Sequence, residues 1–149
     1  MPEPMTYGQA VSLAAVPVPG HLEAGAEVPV LTGAQAQGDL LIVPVHMAYR
    51  GTALIPDWPA GDLVGAAGVQ VVRGEATGNT HWLHAGFDSP GVAFHRARPG
   101  LVIGVLTVPA GQTAMLIHTD EHGANGIGPG TYEIRRKREQ AHQPRYVED

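Results

Sequence analysis

Between residues 39 and 139 the chain repeats one pattern: a short apolar, β-branched run, a cluster of glycine, proline, aspartate or asparagine, then another run. The runs are "DLLIVPVHMAY" (39–49), "VQVVRGEATG" (69–78), "THWLHAG" (80–86), "GVAFHRA" (91–97), "LVIGVLTV" (101–108), "TAMLIH" (113–118) and "TYEIRRKRE" (131–139). The segments between them, such as "DSPG", "PAGQ" and "GIGPG", supply the positive φ and fixed φ that turns require. Seven such runs, spaced roughly 8–12 residues apart, predict an all-β fold: a single-domain sandwich or barrel of about seven to ten short strands. Residues 1–37 read as an extended arm or irregular edge strand, and 38–149 as the β domain. Helical turns are expected only in "HLEAGAEV" (21–28) and the tail from Gln140.

Within the runs, alternation assigns faces. Tyr132, Ile134, Arg136 and Arg138 share one face of the last strand, and Glu133, Arg135, Lys137 and Glu139 the other. "LVIGVLTV" is apolar throughout and is expected to be buried on both faces, in a sandwich centre or at a contact between copies. Pro44 cannot donate to a ladder and should lie at an edge or bulge.

At 149 residues the chain can bury about 68–70% of its unfolded surface without covalent help. It has no cysteine, which removes disulfides, thiolate chemistry and Cys-type zinc sites. A net charge of -5 opposes general nucleic-acid binding. No basic-plus-apolar leader opens the chain and no apolar run is long enough to span a bilayer. The expectation is a cytoplasmic protein, away from membranes, that assembles as a homo-oligomer.

The chemistry-bearing residues concentrate in "NTHWLH" and "HTDEHG". Eight histidines is a high count for this length, and neutral imidazole with Asp or Glu is the usual donor set for zinc-like ions. His81, His84, His118 and His122 are the candidate metal ligands. His81 and His84 should point to opposite faces of their strand, so at most one of them joins a given site. A turn after His118 can return His122 toward it, with Asp120 or Glu121 supplying a carboxylate. Three readings follow. The first is a domain binding a divalent metal or small ligand through this cluster. The second is an assembly module, shell- or phage-like, whose histidines are structural. The third is a metal-dependent cupin-like or hydrolytic enzyme, with Glu121 as catalytic base.

"RRKR" (Arg135, Arg136, Lys137, Arg138) could contact a small anionic ligand or phosphate, or form a charged edge strand that resists aggregation. The glycines of 123–130 lack the Gly-Lys-Ser/Thr of a phosphate cradle, and "GIGPG" (126–130) reads as a turn before a strand. Neither serine lies in a nucleophile elbow or beside a His and Asp set, which argues against a serine hydrolase.

"GEATGNTHWL" (74–83), "HTDEHGANGIGPGTYEIRRKRE" (118–139) and the closing "RYVED" resemble a group of small, largely uncharacterised bacterial and phage-associated β proteins. That group carries a Thr-Gly-His-x-His segment, then His-x-x-His-Gly, a Pro-Gly-x-Tyr turn and an Arg-rich strand. Here Asn79 stands at the first histidine of that segment, and His118 and His122 are spaced one residue wider. The resemblance covers the C-terminal half, implies a shared locality for His81 and His122, and implies no activity.

Overall fold

The computed structural model describes residues 3–14, 25–51, 55–73, 80–118 and 123–137. In chain order the elements are helix α1 (Tyr7–Leu13), strands β1 (Val30–Leu31), β2 (Gln35–Gln37) and β3 (Leu40–Pro44), and helix α2 (Val45–Ala48). Then come β4 (Asp62–Leu63), β5 (Val69–Arg73), β6 (Thr80–Ala85), β7 (Ala93–Arg96), β8 (Val102–Val108), β9 (Ala114–His118), β10 (Gly123–Ile127) and β11 (Gly130–Arg136). One sheet has the order β1-β10-β9-β6-β5 and the other β2-β3-β11-β8-β7-β4. The fold is all-β, two sheets face to face.

The inward side chains of both sheets make one core: Leu40, Ile42, Leu83, Phe94, Leu106, Leu116, Ile127, Tyr132 and Ile134 belong to the same buried cluster. Each such side chain contributes about 1.5–3 kcal/mol on leaving water. The expected alternation of the last strand holds, since Tyr132 and Ile134 enter this core while Glu133 and Arg135 face outward together. Tyr132 satisfies its buried hydroxyl by donating to the carbonyl of Gly128 (2.8 Å).

Two ties join the sheets away from the core. On one side Gln35, Gln37 and Asn125 lace β2 to β9 and β10. On the other, the Arg96 guanidinium donates to the carbonyls of Gln70 (2.6 Å) and Val71 (3.1 Å). The pairing of β5 with β6 slips between Gln70 and Val72, so Arg96 caps carbonyls at an irregularity in the ladder.

The structure corrects four expectations. The segment before residue 38 is not a simple arm: α1 buries Ala10 and Val11, and Met5, Ala10 and Val28 pack on Met115 and Ile117 of the outer face of β9. Its start is a capping box, Thr6 accepting from the Gln9 amide (3.2 Å) while the Gln9 side chain accepts from Thr6 N–H (2.9 Å). The expected 126–130 turn is shorter than that, because Gly126 and Ile127 belong to β10 and only Gly128 and Pro129 separate it from β11. Gly126 lets β1 approach in parallel, since a Cβ there would lie 2.4 Å from the Pro29 carbonyl oxygen. The strand bearing Arg135 and Arg136 lies inside its sheet, between β3 and β8, not at an edge. Of the expected helical turns, 21–24 and the tail lie outside the described residues, and Gly25 to Glu27 form a turn and bridge. Pro44 ends β3 beyond Ile42, the last residue of that strand paired with β2, so its missing N–H interrupts nothing there. Among the described residues no helix is long and apolar enough to cross a membrane.

If the capping box holds α1 on the sheet, Thr6→Ala lowers unfolding free energy by about 1 kcal/mol. Urea denaturation should show a lower midpoint at unchanged slope. An unchanged midpoint would mean that α1 is not part of the cooperative unit.

Candidate functional site

The strands that carry His81 and His118 are neighbours, with His81 of β6 directly opposite His118 of β9. Both point into the space between the sheets and are buried. Their rings stack, centroids 4.2 Å apart and planes 7° from parallel. The turn between β2 and β3 closes over them. Gly38 there has φ +54°, and a Cβ on it would lie 2.9 Å from Cε1 of His118 and 3.2 Å from Cε1 of His81. Glycine is required on both counts.

A chain of side-chain amides fixes the proton on His81. Gln37 Nε2 donates to the Leu116 carbonyl (2.7 Å) and to Asn125 Oδ1 (2.8 Å). Gln37 thus turns its oxygen to His81, whose Nδ1–H donates to it (2.9 Å). Asn125 Nδ2 donates onward to Gln35 Oε1 (3.1 Å) and the Ala36 carbonyl (3.2 Å), and Gln35 Nε2 to the Gly126 carbonyl (2.9 Å). Burial first, then the neighbouring His118, hold the His81 pKa down to about 4 against a partial opposing pull from Asp39. His81 is therefore a neutral, Nδ1-protonated imidazole at neutral pH.

This stack is not a chelate. An ion about 2.1 Å from an imidazole nitrogen lies in the plane of that ring, and two nearly parallel, stacked planes share no such point. His84 cannot complete the set, because it projects from the opposite face of β6, opposite Met115. There its ring packs on Gly68, where a Cβ would lie 2.5 Å from Nε2. Its Nε2 is buried with no hydrogen-bond partner among the described residues, and burial lowers its pKa. Asp120, Glu121 and His122 lie outside the described residues, so the expected histidine–carboxylate cluster is seen here as His81 and His118 alone. No group of three or more His, Asp or Glu placed to hold an ion occurs among the described residues.

A second constellation, which no sequence motif announces, occupies the outer face of the six-stranded sheet. His95, Val105 and Glu133 lie in one row across β7, β8 and β11. Glu133 is fully buried, 0% exposed. Its Oε1 accepts from Arg135 Nε (2.8 Å) and Nη2 (2.7 Å), and its Oε2 from the indole N–H of Trp58 (2.9 Å). The Tyr49 phenol also hydrogen-bonds Glu133, and burial together with this contact raises its pKa. The Arg135 guanidinium lies 5.7 Å over the Tyr49 ring. Of the four basic residues proposed for an anion, Arg135 is therefore committed to Glu133, Arg136 and Lys137 are exposed, and Arg138 lies outside the described residues.

Above this network a cleft of about 520 Å³ is lined by Pro56, Asp57, Trp58, Pro59, His95, Ala97, Arg98, Gly100 and Val102. The Trp58 and His95 rings stand 6.1 Å apart at 48°, forming two walls of a corner. Prolines on either side of Asp57-Trp58 stiffen the segment that carries the indole. The pairing of β8 with β11 slips at Ile134/Arg135, next to Val102 on the cleft wall. The signal available in the sequence was "PDWP", a tryptophan in a proline-flanked loop where no core periodicity accounts for it.

The folded pKa of His81 lies below its ordinary value of 6.5, so the stability it confers is complete above about pH 6.5 and is lost as pH falls toward 4. His81→Gln removes the titration. From neutral pH down to about pH 4.5, denaturant melts should show wild type losing roughly 2–3 kcal/mol more than the variant. Equal losses would contradict the buried, neutral assignment.

Residues 36–137 match a family described as a domain of unknown function (DUF8820), a span that runs from β2 through β11 and holds both the histidine stack and the Trp58 cleft. No curated protein and no solved structure matches the chain. The chain belongs to the DUF8820 family.

Proposed function

We propose that this domain is a non-catalytic small-ligand-binding module whose site is the Trp58 cleft, with the histidine stack as a structural latch between the sheets. The observation that carries this is Glu133. A carboxylate removed entirely from water is costly unless charge-paired and hydrogen-bonded. This one is satisfied by groups that include the half-buried indole that lines the cleft. Apolar residues at those positions could close the surface without that cost. The arrangement is economical only if the orientation of the indole matters.

The cleft volume lies within the range of small-molecule sites, and its apolar walls with a few convergent polar groups are the usual make-up of such sites. Catalysis has no comparable support, since Glu133 is engaged by Arg135 and Trp58 and is not open to the cleft as a base. A divalent ion at His81, His118 and His122 is the second reading, favoured by two buried imidazoles, one of which is followed closely in the sequence by Asp120 and Glu121. It requires one ring to leave the stack.

A fragment library screened by ¹H–¹⁵N NMR tests the first reading against the second. Hits should cluster on Trp58, His95 and Arg98, and Trp58→Ala should weaken them by at least about thirtyfold, the loss of a binding hot spot. Hits scattered over the surface would contradict the cleft. Stoichiometric metal in untagged protein, lost in His118→Ala, would select the ion.

A further inference from the structure

We infer that the ligand of the Trp58 cleft is a neutral polyhydroxylated ring, a sugar unit of a glycan; this rests on the cleft being the binding site. The Trp58 wall supplies the first reason. The Trp58 edge is held by Glu133, which leaves the ring face as the surface it can offer. An aromatic face carries negative quadrupole density, and it complements the polarised C–H bonds on the flat side of a pyranose.

The rim supplies the second. Asp57, His95 and Arg98 are the titratable side chains lining the cleft. The carboxylate accepts only, the guanidinium donates only, and the imidazole adds two ring nitrogens. Paired hydroxyls on adjacent ring carbons present a donor and an acceptor together, which such planar groups can meet two at a time. The formal charges of Asp57 and Arg98 cancel. A phosphate or carboxylate ligand would gain Arg98 but meet Asp57, and a cationic ligand would meet the reverse. A neutral ligand meets neither penalty. The chain's net charge of -5 further disfavours a nucleic-acid strand on this face.

The third reason is shape. The site is an open cleft rather than an enclosed cavity, and exposed Ile55 and Leu101 adjoin lining residues Pro56, Gly100 and Val102. A chain of sugar rings can run past such a site, one ring seated on the indole and its neighbours along the rim. Affinity from one platform and three polar groups falls at a Kd of about 10 μM to 1 mM.

The test uses the full chain carrying Trp82→Phe, which leaves Trp58 as the sole indole. Its emission is followed during titration with cellotetraose, maltotetraose and chitotetraose, with decaproline and adenosine monophosphate as rivals. At least one tetrasaccharide should shift the emission saturably below about 10 mM, and Asp57→Ala and Arg98→Ala should each weaken that binding by about tenfold. Saturation by decaproline or the nucleotide, with none by any sugar, overturns the sugar assignment and leaves the cleft a binding site. No response to any of the five overturns both. Should Trp82→Phe not fold, the indole N–H resonance of Trp58 in the wild-type protein gives the same readout.

Discussion

The outer face of the six-stranded sheet depends on one buried carboxylate. Glu133 sits in the middle of β11 with a β-strand on each side, so its backbone is fixed by two ladders and its side chain cannot swing out to water. The surroundings must come to it. Arg135 folds back from the same strand, Tyr49 reaches in after α2, and Trp58 arrives on a proline-flanked loop. Each contact is charge-assisted and worth about 1.5–3 kcal/mol, and removing any single partner leaves part of a buried charge unanswered. The loop is thereby held in one place, and the cleft is a consequence of that.

The histidine stack works in the opposite sense. The His81 imidazole is held neutral, the amides of Gln35, Gln37 and Asn125 bond in series, and a glycine turn packs on top. This seam ties the edge strand β2 of one sheet to β9 and β10 of the other, while Arg96 ties β7 to β5 on the far side. Together they tie the two sheets to each other at two places. The seam therefore serves the cleft indirectly, as scaffold.

Much of the framework was legible in the chain. The strands of 40–44, 69–73, 80–85, 93–96, 102–108 and 114–118 all fall within the runs read from the sequence, and that of 130–136 begins one residue before its run. The meeting of His81 with His118, and the opposite facing of His84, follow from strand alternation once the two strands pair. Helix α1 was missed because its apolar face is only Ala10 and Val11, although Thr6 and Gln9 spell a capping box. Strand β10 was missed because "GANGI" has no strand propensity; its neighbours impose the conformation. The cleft was invisible for a different reason. Glu133, Trp58 and His95 are far apart in sequence, and a glutamate beside arginines in a charged strand looks like solvent-facing surface until burial is known.

The most direct test of this account is hydrogen exchange at the Trp58 indole N–H, followed by NMR at neutral pH. If the indole is clamped on a buried Glu133 carboxylate, exchange should be slowed by at least about tenfold relative to free indole, and Glu133→Ala, which removes the acceptor, should abolish most of that protection. Exchange at the free-indole rate in the wild-type protein would show that Trp58 is not held, and the organised cleft would go with it.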